Sequence, residues 1–287
     1  MCLAFRGRIE IVNDWKSWIG STDVHTDTIT ETLRDRFVAV IGRHDSSDDP
    51  DVAPLGLHWC LAVPVIDNDG LAPDGHPVRG VLVPPIPSAR RVWAGGELAI
   101  HEPLRLHDRV SRRSTIQDVR VTEGRTGALS FVVIRHDYET SRGLSISERQ
   151  NIGYRLRSDT TVRLGDQADA DLPGDRIEFI AATPTLLFRY SAVTFNSHRI
   201  HYDSDYARTV EGYPGVVVHG PLQSTLLMHL AHTHAQAPLR HFAFRHVSPL
   251  IGGAPFKIRA RTIDTTSCDL WAIAADGRVA TTARARW

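Results

Sequence analysis

Cysteine is scarce in this chain. Its 287 residues contain three, Cys2, Cys60 and Cys268, far apart and in no CxxC pair. That excludes a disulfide framework and a thiolate zinc ribbon, and points to a reducing compartment, the cytoplasm. Charge of one sign is absent too. The 33 basic residues balance the 33 acidic ones. No electrostatic attraction to nucleic acid or to an anionic membrane follows from that balance. No apolar run approaches the ~18 residues of a membrane helix. The N-terminus reaches Asp14 without a signal-like apolar core, and Glu10 and Asp14 come too early for a transit peptide. A hydrophobic content of 42% with 23% charged residues describes a soluble globular protein.

What is present reads as two similar halves. In the first, Trp15, Trp18 and Ile19 have helical spacing. Thr28 with Glu31 offers a capping box for a helix that places Ile29, Leu33, Phe37, Val40 and Ile41 on one face. Arg43 to Val52 reads as a loop, Pro54 to Val65 as a strand, and Asp67 to Pro87 as a long loop rich in proline and glycine. Strand patterns follow near Leu98–Ile100, Val110–Val121, Leu129–Tyr138 and Leu144–Arg157, with a hairpin at Gly124 and Gly127.

The second half opens with strand-like Ile177–Ala182 and Leu186–Thr194. A helix from Pro221 then buries Leu222, Leu226, Leu227, Leu230 and Ala231 on one face, leaving His229, His232 and His234 toward solvent. Proline fits the first helical position, where its missing N–H costs nothing. Phe242–Val247, Phe256–Ile263, Leu270–Ala274 and Val279–Ala283 complete a meander. The pattern predicts an α+β protein, with residues 1–158 and 174–287 as its halves and 159–173 as the linker.

Chemistry concentrates in Phe195-Asn196-Ser197-His198-Arg199-Ile200-His201-Tyr202-Asp203, with Tyr206-Ala207 just beyond and Val218-His219-Gly220-Pro221 downstream. A histidine suits proton transfer near neutrality. A helix start suits a developing oxyanion, because its N–H groups are unpaired and carry partial positive charge. Pro221 removes one donor, so the N–H of Gly220 or Leu222 would serve. His198, His201 and Asp203 can be drawn as metal ligands, but they lack the i, i+4 helix geometry of the zinc-protease motif, and no metal is expected.

These residues resemble the signature of the hydratase 2 (MaoC-like) enzymes, Asp-x-Asn-Pro-x-His-x-Asp followed by an aromatic residue and alanine. In register, the family's catalytic histidine falls on His201, its aspartate on Asn196, its asparagine on His198 and its proline on Arg199. An asparagine cannot exchange a proton at neutral pH. His198 is the alternative acid/base. This variant motif, with Arg91-Val92-Trp93-Ala94-Gly95-Gly96, His101-Glu102-Pro103-Leu104 and Phe242-Ala243-Phe244-Arg245, resembles one branch of the superfamily. That branch holds the mesaconyl-C4-CoA (3-methylfumaryl-CoA) hydratases and the type 2 3-hydroxyacyl-thioester dehydratases.

The resemblance implies a double hot-dog fold, each repeat a helix wrapped by a curved sheet. It implies a hydro-lyase acting on an α,β-unsaturated acyl-CoA thioester, with mesaconyl-C4-CoA to citramalyl-CoA foremost and 3-hydroxyacyl dehydration on CoA or acyl carrier protein as the rival. A non-catalytic acyl-thioester binder and a thioesterase stay open. His201 would act as base, Asn196 and His198 would position water or move the α proton, and Gly220 would polarise the carbonyl. Asp203, Tyr206, His219, Arg245 and Arg91 are the candidate substrate contacts. Asp203 suits loop capping as well. Arg245 suits a CoA phosphate or an outward strand position. Arg91 suits a free carboxylate, gripped in two-pronged fashion, or the surface. Trp59, Trp93 and Phe131 suit the core. The first half has no counterpart of His201 and would form the acyl pocket. No cofactor beyond the substrate's CoA is expected, and by analogy a homodimer.

Overall fold

Alternation along the chain builds the sheet. On Gly127–Thr140, the side chains of Val132, Ile134, His136 and Tyr138 are buried while those between them are less so. The computed structural model describes residues 15–46, 48–78, 83–86, 90–124, 127–155, 164 and 174–287. Its strands are β1 (Thr22–Thr28), β2 (Arg90–Ile100), β3 (Arg109–Gly124), β4 (Gly127–Thr140), β5 (Gly143–Arg155), β6 (Arg176–Ala181), β7 (His241–His246), β8 (Pro255–Asp264), β9 (Ser267–Ile273) and β10 (Val279–Arg286). Its helices are α1 (Glu31–Ile41), α2 (Pro184–Val193), α3 (Ser204–Thr209) and α4 (Gly220–Ala235). All ten strands join in one antiparallel sheet of order β1-β3-β4-β5-β2-β7-β10-β9-β8-β6. The first five belong to the first half of the chain and the last five to the second. Apart from Leu164, the expected linker lies outside the described residues.

The halves meet where β2 pairs with β7, from Gly95 opposite Arg245 to Ala99 opposite His241. Glycine makes this joint. A Cβ on Gly95 (φ +150°) would lie 2.4 Å from the Phe244 carbonyl oxygen, and one on Gly96 would lie 2.4 Å from that of Arg149.

Helix α4 is the centre of the second half. It packs on β7 to β10, and every residue from Leu222 to Ala231 is buried. A helix buried all round needs partners on its polar sides. His229, expected in solvent, is one such case. Its Nδ1 meets Ser46 Oγ at 2.8 Å and its Nε2 meets the Leu55 carbonyl at 2.9 Å. The first half's loop covers the face that a lone amphipathic helix would have shown to water.

Local chemistry overrides three further expectations. Pro54–Val65 contains a 3₁₀ turn, Leu57–Cys60, after the left-handed Gly56; it is apolar because it packs inside, not because it is a strand. Leu186–Thr194 lies in α2, which Pro184 opens and Thr183 caps by accepting from the Leu186 N–H at 3.1 Å. The cap of α1 is Thr30, accepting from the Leu33 N–H at 3.1 Å, because Thr28 ends β1. That edge strand, TDVHTDT, has no apolar alternation to mark it in the sequence.

Candidate active site

A cavity of about 860 Å³ opens between the halves. The loop after α2 supplies its chemistry. Phe195 takes a left-handed φ of 50°, rare for a residue with a side chain. Asn196 Oδ1 then accepts the His198 N–H at 3.0 Å. Arg199–His201 forms a 3₁₀ turn, and Asp203 closes the loop by capping α3 through the Tyr206 N–H at 2.9 Å. Arg199 pairs with Asp203 at 2.8 Å and lies over the Tyr206 ring.

The ring of His201 is fixed in orientation and tautomer. Its Nδ1 lies 2.7 Å from the Val217 carbonyl oxygen. A carbonyl only accepts, so Nδ1 carries the hydrogen and Nε2 keeps a lone pair. The ring stacks on His219 at 3.7 Å between centroids. Burial lowers the His201 pKa to about 4, so the imidazole is neutral at physiological pH. His198 stands edge-on, 5.4 Å away, and burial lowers its pKa as well.

Helix α4 begins beside these rings, with Gly220 lining the cavity. The first-turn N–H groups of a helix have no carbonyl of their own to bond. Space is tight here: a Cβ on Gly220 would lie 2.7 Å from His246 Nε2. His246 cannot retreat, because Nδ1 is bonded to Thr281 Oγ1 at 2.8 Å and the ring packs on Trp93 and Phe244. Gly220→Ala therefore displaces the helix start. It should lower turnover about 10–100-fold, the cost of misplacing a catalytic donor by a fraction of an ångström to an ångström. Melting temperature should fall somewhat as well, because neither the helix start nor the packed His246 can move without cost.

The His246 tautomer also follows from its neighbours. Gln223 donates from Nε2 to the Val218 carbonyl at 3.2 Å, leaving Oε1 to accept the Thr281 hydroxyl at 2.7 Å. Thr281 Oγ1 must then accept from His246 Nδ1, so Nε2 of His246 bears a lone pair. That atom is buried, with no hydrogen-bond partner among the described residues.

The cavity wall also carries positive charge. Arg91 on β2 and Arg112 on β3 line it beside Gln150 and Tyr138. Neither guanidinium has a carboxylate within 4.0 Å among the described residues, and Arg112 Nε is buried without a partner. Arg90, by contrast, pairs with Glu211. Behind Arg112, the buried Glu148 accepts from Trp59 Nε1 at 2.9 Å, Gln150 at 2.9 Å and Tyr138 at 3.3 Å. Burial raises its pKa against those bonds.

Of the sequence candidates, His201, Asn196, His198, Gly220 and Arg91 converge on the cavity. Four do not line it. Asp203 caps α3. Tyr206 is buried under Arg199. His219 backs His201 and bonds Ser191 Oγ at 2.8 Å. Arg245 sits at an exposed position of β7. The trio His198, His201 and Asp203, drawn from the sequence and set aside there, is not among the groups of described residues whose ligand atoms lie close enough for a metal ion, and the Asp203 carboxylate is held by Arg199 and the α3 cap. Among the described residues, the group with ligand atoms close enough for a metal ion is Asp74, His76 and His198, within 4.8 Å of one another. Sequence reading missed Asp74, His76, Arg112, Gln223 and His246; no local motif marks them.

Buried neutral histidines make the fold acid-sensitive. Burial lowers His58 and His136 to about 3, and His201, His229 and His246 to about 4, from 6.5. In that interval the unfolded chain binds more protons than the folded one. Stability should therefore be full above pH 6.5 and fall steadily toward pH 4. Melting temperature measured across that range checks this; a flat profile would contradict the burial of these rings.

Comparison with known proteins places the chain in a family. Residues 56–252 match the family described as hydroxyacyl-thioester dehydratase type 2. The mesaconyl-C4-CoA hydratase of Chloroflexus aurantiacus is 39% identical over 277 residues, 94% of this chain and 96% of that one. The crystal structure of HtdX from Mycobacterium tuberculosis superposes with a TM-score of 0.67 at 20% identity, covering 92% of this chain and 99% of that one. Another M. tuberculosis protein, described as having a double hot-dog fold, gives a TM-score of 0.56 at 15% identity over 93% and 95% of the two chains. A tandem of helix-and-sheet halves, the variant motif in a cavity between them and a profile match over most of its length establish that this chain is a double hot-dog member of the hydroxyacyl-thioester dehydratase type 2 family.

Proposed function

We propose that this chain is a hydro-lyase that adds water to a short α,β-unsaturated acyl-CoA thioester ending in a free carboxylate, with mesaconyl-C4-CoA to citramalyl-CoA as the favoured reaction. The observation that carries it is one cavity that brings together a neutral imidazole lone pair, a helix start and two guanidinium groups with no carboxylate within 4.0 Å among the described residues. The name of the Chloroflexus relative supports the same substrate.

The chemistry runs along the cavity. The thioester carbonyl lies toward Gly220, where the helix N-terminus stabilises charge as it develops on oxygen. Water lies between His201 Nε2 and the β carbon. His201 takes a proton as the C–O bond forms, and the double-bond electrons move to the α carbon and the carbonyl. Arg91 and Arg112 hold the distal carboxylate, which fixes the β carbon in place. A proton on the α carbon completes the addition. None of these steps calls on a metal or redox group, and CoA enters as part of the substrate. We propose a cytoplasmic enzyme and, by analogy with paired hot-dog sheets, a homodimer; no described helix is long and apolar enough to cross a membrane.

The test is mass spectrometry of purified protein with mesaconyl-C4-CoA, crotonyl-CoA and a long-chain 2-enoyl-CoA. A gain of one water on the dicarboxylic thioester, faster than on the others, is expected. Preference for the long chain would favour the second reading, a 3-hydroxyacyl-thioester dehydratase, which the family match supports. Release of free CoA thiol would mean thioester hydrolysis instead.

A further inference from the structure

The family's aspartate is missing at position 196, and the loop does not replace it locally. Asn196 spends Oδ1 on the His198 N–H, and Asp203 is held by Arg199 and the α3 cap. A carboxylate arrives from elsewhere. The loop from Leu71 to Pro77, in the first half of the chain, closes on itself through a bridge between those two residues and an Ala72 N–H bond to the His76 carbonyl at 2.7 Å. It is fastened to the catalytic loop at three points. The Arg199 N–H donates to the Asp74 carbonyl at 2.9 Å, Arg199 Nη1 to the Pro73 carbonyl at 3.1 Å, and the Ser197 hydroxyl to the Gly75 carbonyl. The fit demands glycine at 75: φ is +87°, and a Cβ would lie 1.9 Å from the Ser197 carbonyl oxygen.

This docking sets a carboxylate–imidazole pair into the cavity wall. Asp74 Oδ1 accepts the His76 backbone N–H at 2.9 Å, and Oδ2 lies 3.2 Å from His76 Nδ1. Beside a carboxylate, Nδ1 is the donor. The His76 ring lines the cavity and lies 4.0 Å from that of His198. Both side chains are largely shielded, 16% exposed for Asp74 and 21% for His76.

We propose that Asp74 and His76 form the second acid/base pair of the reaction, in place of the carboxylate lost at Asn196. The proposal rests on the hydro-lyase reading. His76 is the catalytic acid and Asp74 its positioning residue. As His201 Nε2 takes the water's proton and oxygen bonds the β carbon, protonated His76 gives its Nε2 proton to the α carbon and becomes neutral. The proton on His201 returns to His76 by way of His198 or solvent, so one water is added and both imidazoles are restored. Electrostatics agree. Burial pushes the Asp74 carboxyl up, but the hydrogen bond and charge of His76 outweigh it and hold the carboxyl below the usual range.

Three variants of the full chain test this with mesaconyl-C4-CoA: His76→Gln, Asp74→Asn and Asp74→Glu. Glutamine keeps a donor toward Asp74, and asparagine keeps the acceptor for the His76 N–H, so folding should survive; melting temperature checks that. His76→Gln should lower kcat about 10²–10⁴-fold with little change in KM. Asp74→Asn should lower kcat in the same direction, and Asp74→Glu should recover much of the loss. Wild-type turnover with His76→Gln and Asp74→Asn unimpaired overturns the pair while leaving the reaction standing. So does wild-type activity that a chelator abolishes and zinc restores, which would make Asp74, His76 and His198 a metal site. A wild-type protein that hydrates no thioester brings down the hydro-lyase reading, and the pair with it.

Discussion

His201→Ala should lose hydration of mesaconyl-C4-CoA by about 10²–10⁴-fold, the range for removing a positioned general base. The loss should fall on kcat, because the cavity walls that hold CoA and the acyl group stay in place. Two features of the ring make it the base. Its Nδ1–H is committed to the Val217 carbonyl at 2.7 Å, which aims the Nε2 lone pair. Its pKa of about 4 keeps it neutral when water must give up a proton. Alanine leaves the Val217 carbonyl without that donor, at a cost of about 1–3 kcal/mol. His201→Gln separates the two effects, since its amide can still donate while its proton affinity is gone. Both variants should be inactive, and glutamine should melt closer to wild type. Activity that survives in His201→Gln would move the base to His198 or His76.

Residue pattern made His201, Asn196, His198 and Gly220 legible, because one short loop and one helix start carry them and a proline follows the glycine. Arg91 was legible only as a basic residue after a proline-rich loop. The remaining cavity groups belong to segments distant in sequence. Asp74 and His76 occupy the stretch Asp67 to Pro87, which reads as a long loop rich in proline and glycine. Arg112 lies on a strand with three other arginines, Arg109, Arg113 and Arg120, and nothing local sets it apart from them. His246 takes meaning only from Thr281 and Gln223 behind it. Their roles depend on the β2–β7 joint and on the docking of the first half's loop, which no local periodicity encodes. The fold shows the same division. Nine of the ten strands carry apolar residues at strand spacing; β1 does not and stayed hidden. The hydrophobic run at Leu186–Thr194 does not by itself distinguish strand from helix, and the capping threonine with proline decides it.

The arginines of the cavity wall should set the preference among acyl groups. A pocket for a long acyl chain would be apolar there, yet Arg91 and Arg112 face it with no carboxylate within ion-pairing distance among the described residues. Arg112 is buried and Arg91 half-buried, so a ligand carboxylate would gain more from them than from arginines in open solvent. Each charged hydrogen bond to a substrate carboxylate contributes about 1.5–3 kcal/mol, roughly 10–150-fold in affinity. Arg91→Met and Arg112→Lys should therefore raise KM for mesaconyl-C4-CoA by about that factor. Lysine keeps the charge near Glu148 but loses the two-pronged grip, which isolates recognition from stability. Crotonyl-CoA, which has no distal carboxylate, should change little or improve. The ratio of kcat/KM values for the two thioesters is the measurement. A collapse of that ratio assigns the arginines to the carboxylate. An equal loss on both substrates would make them structural supports of the Tyr138–Glu148 cluster and return the long-chain dehydratase reading to first place.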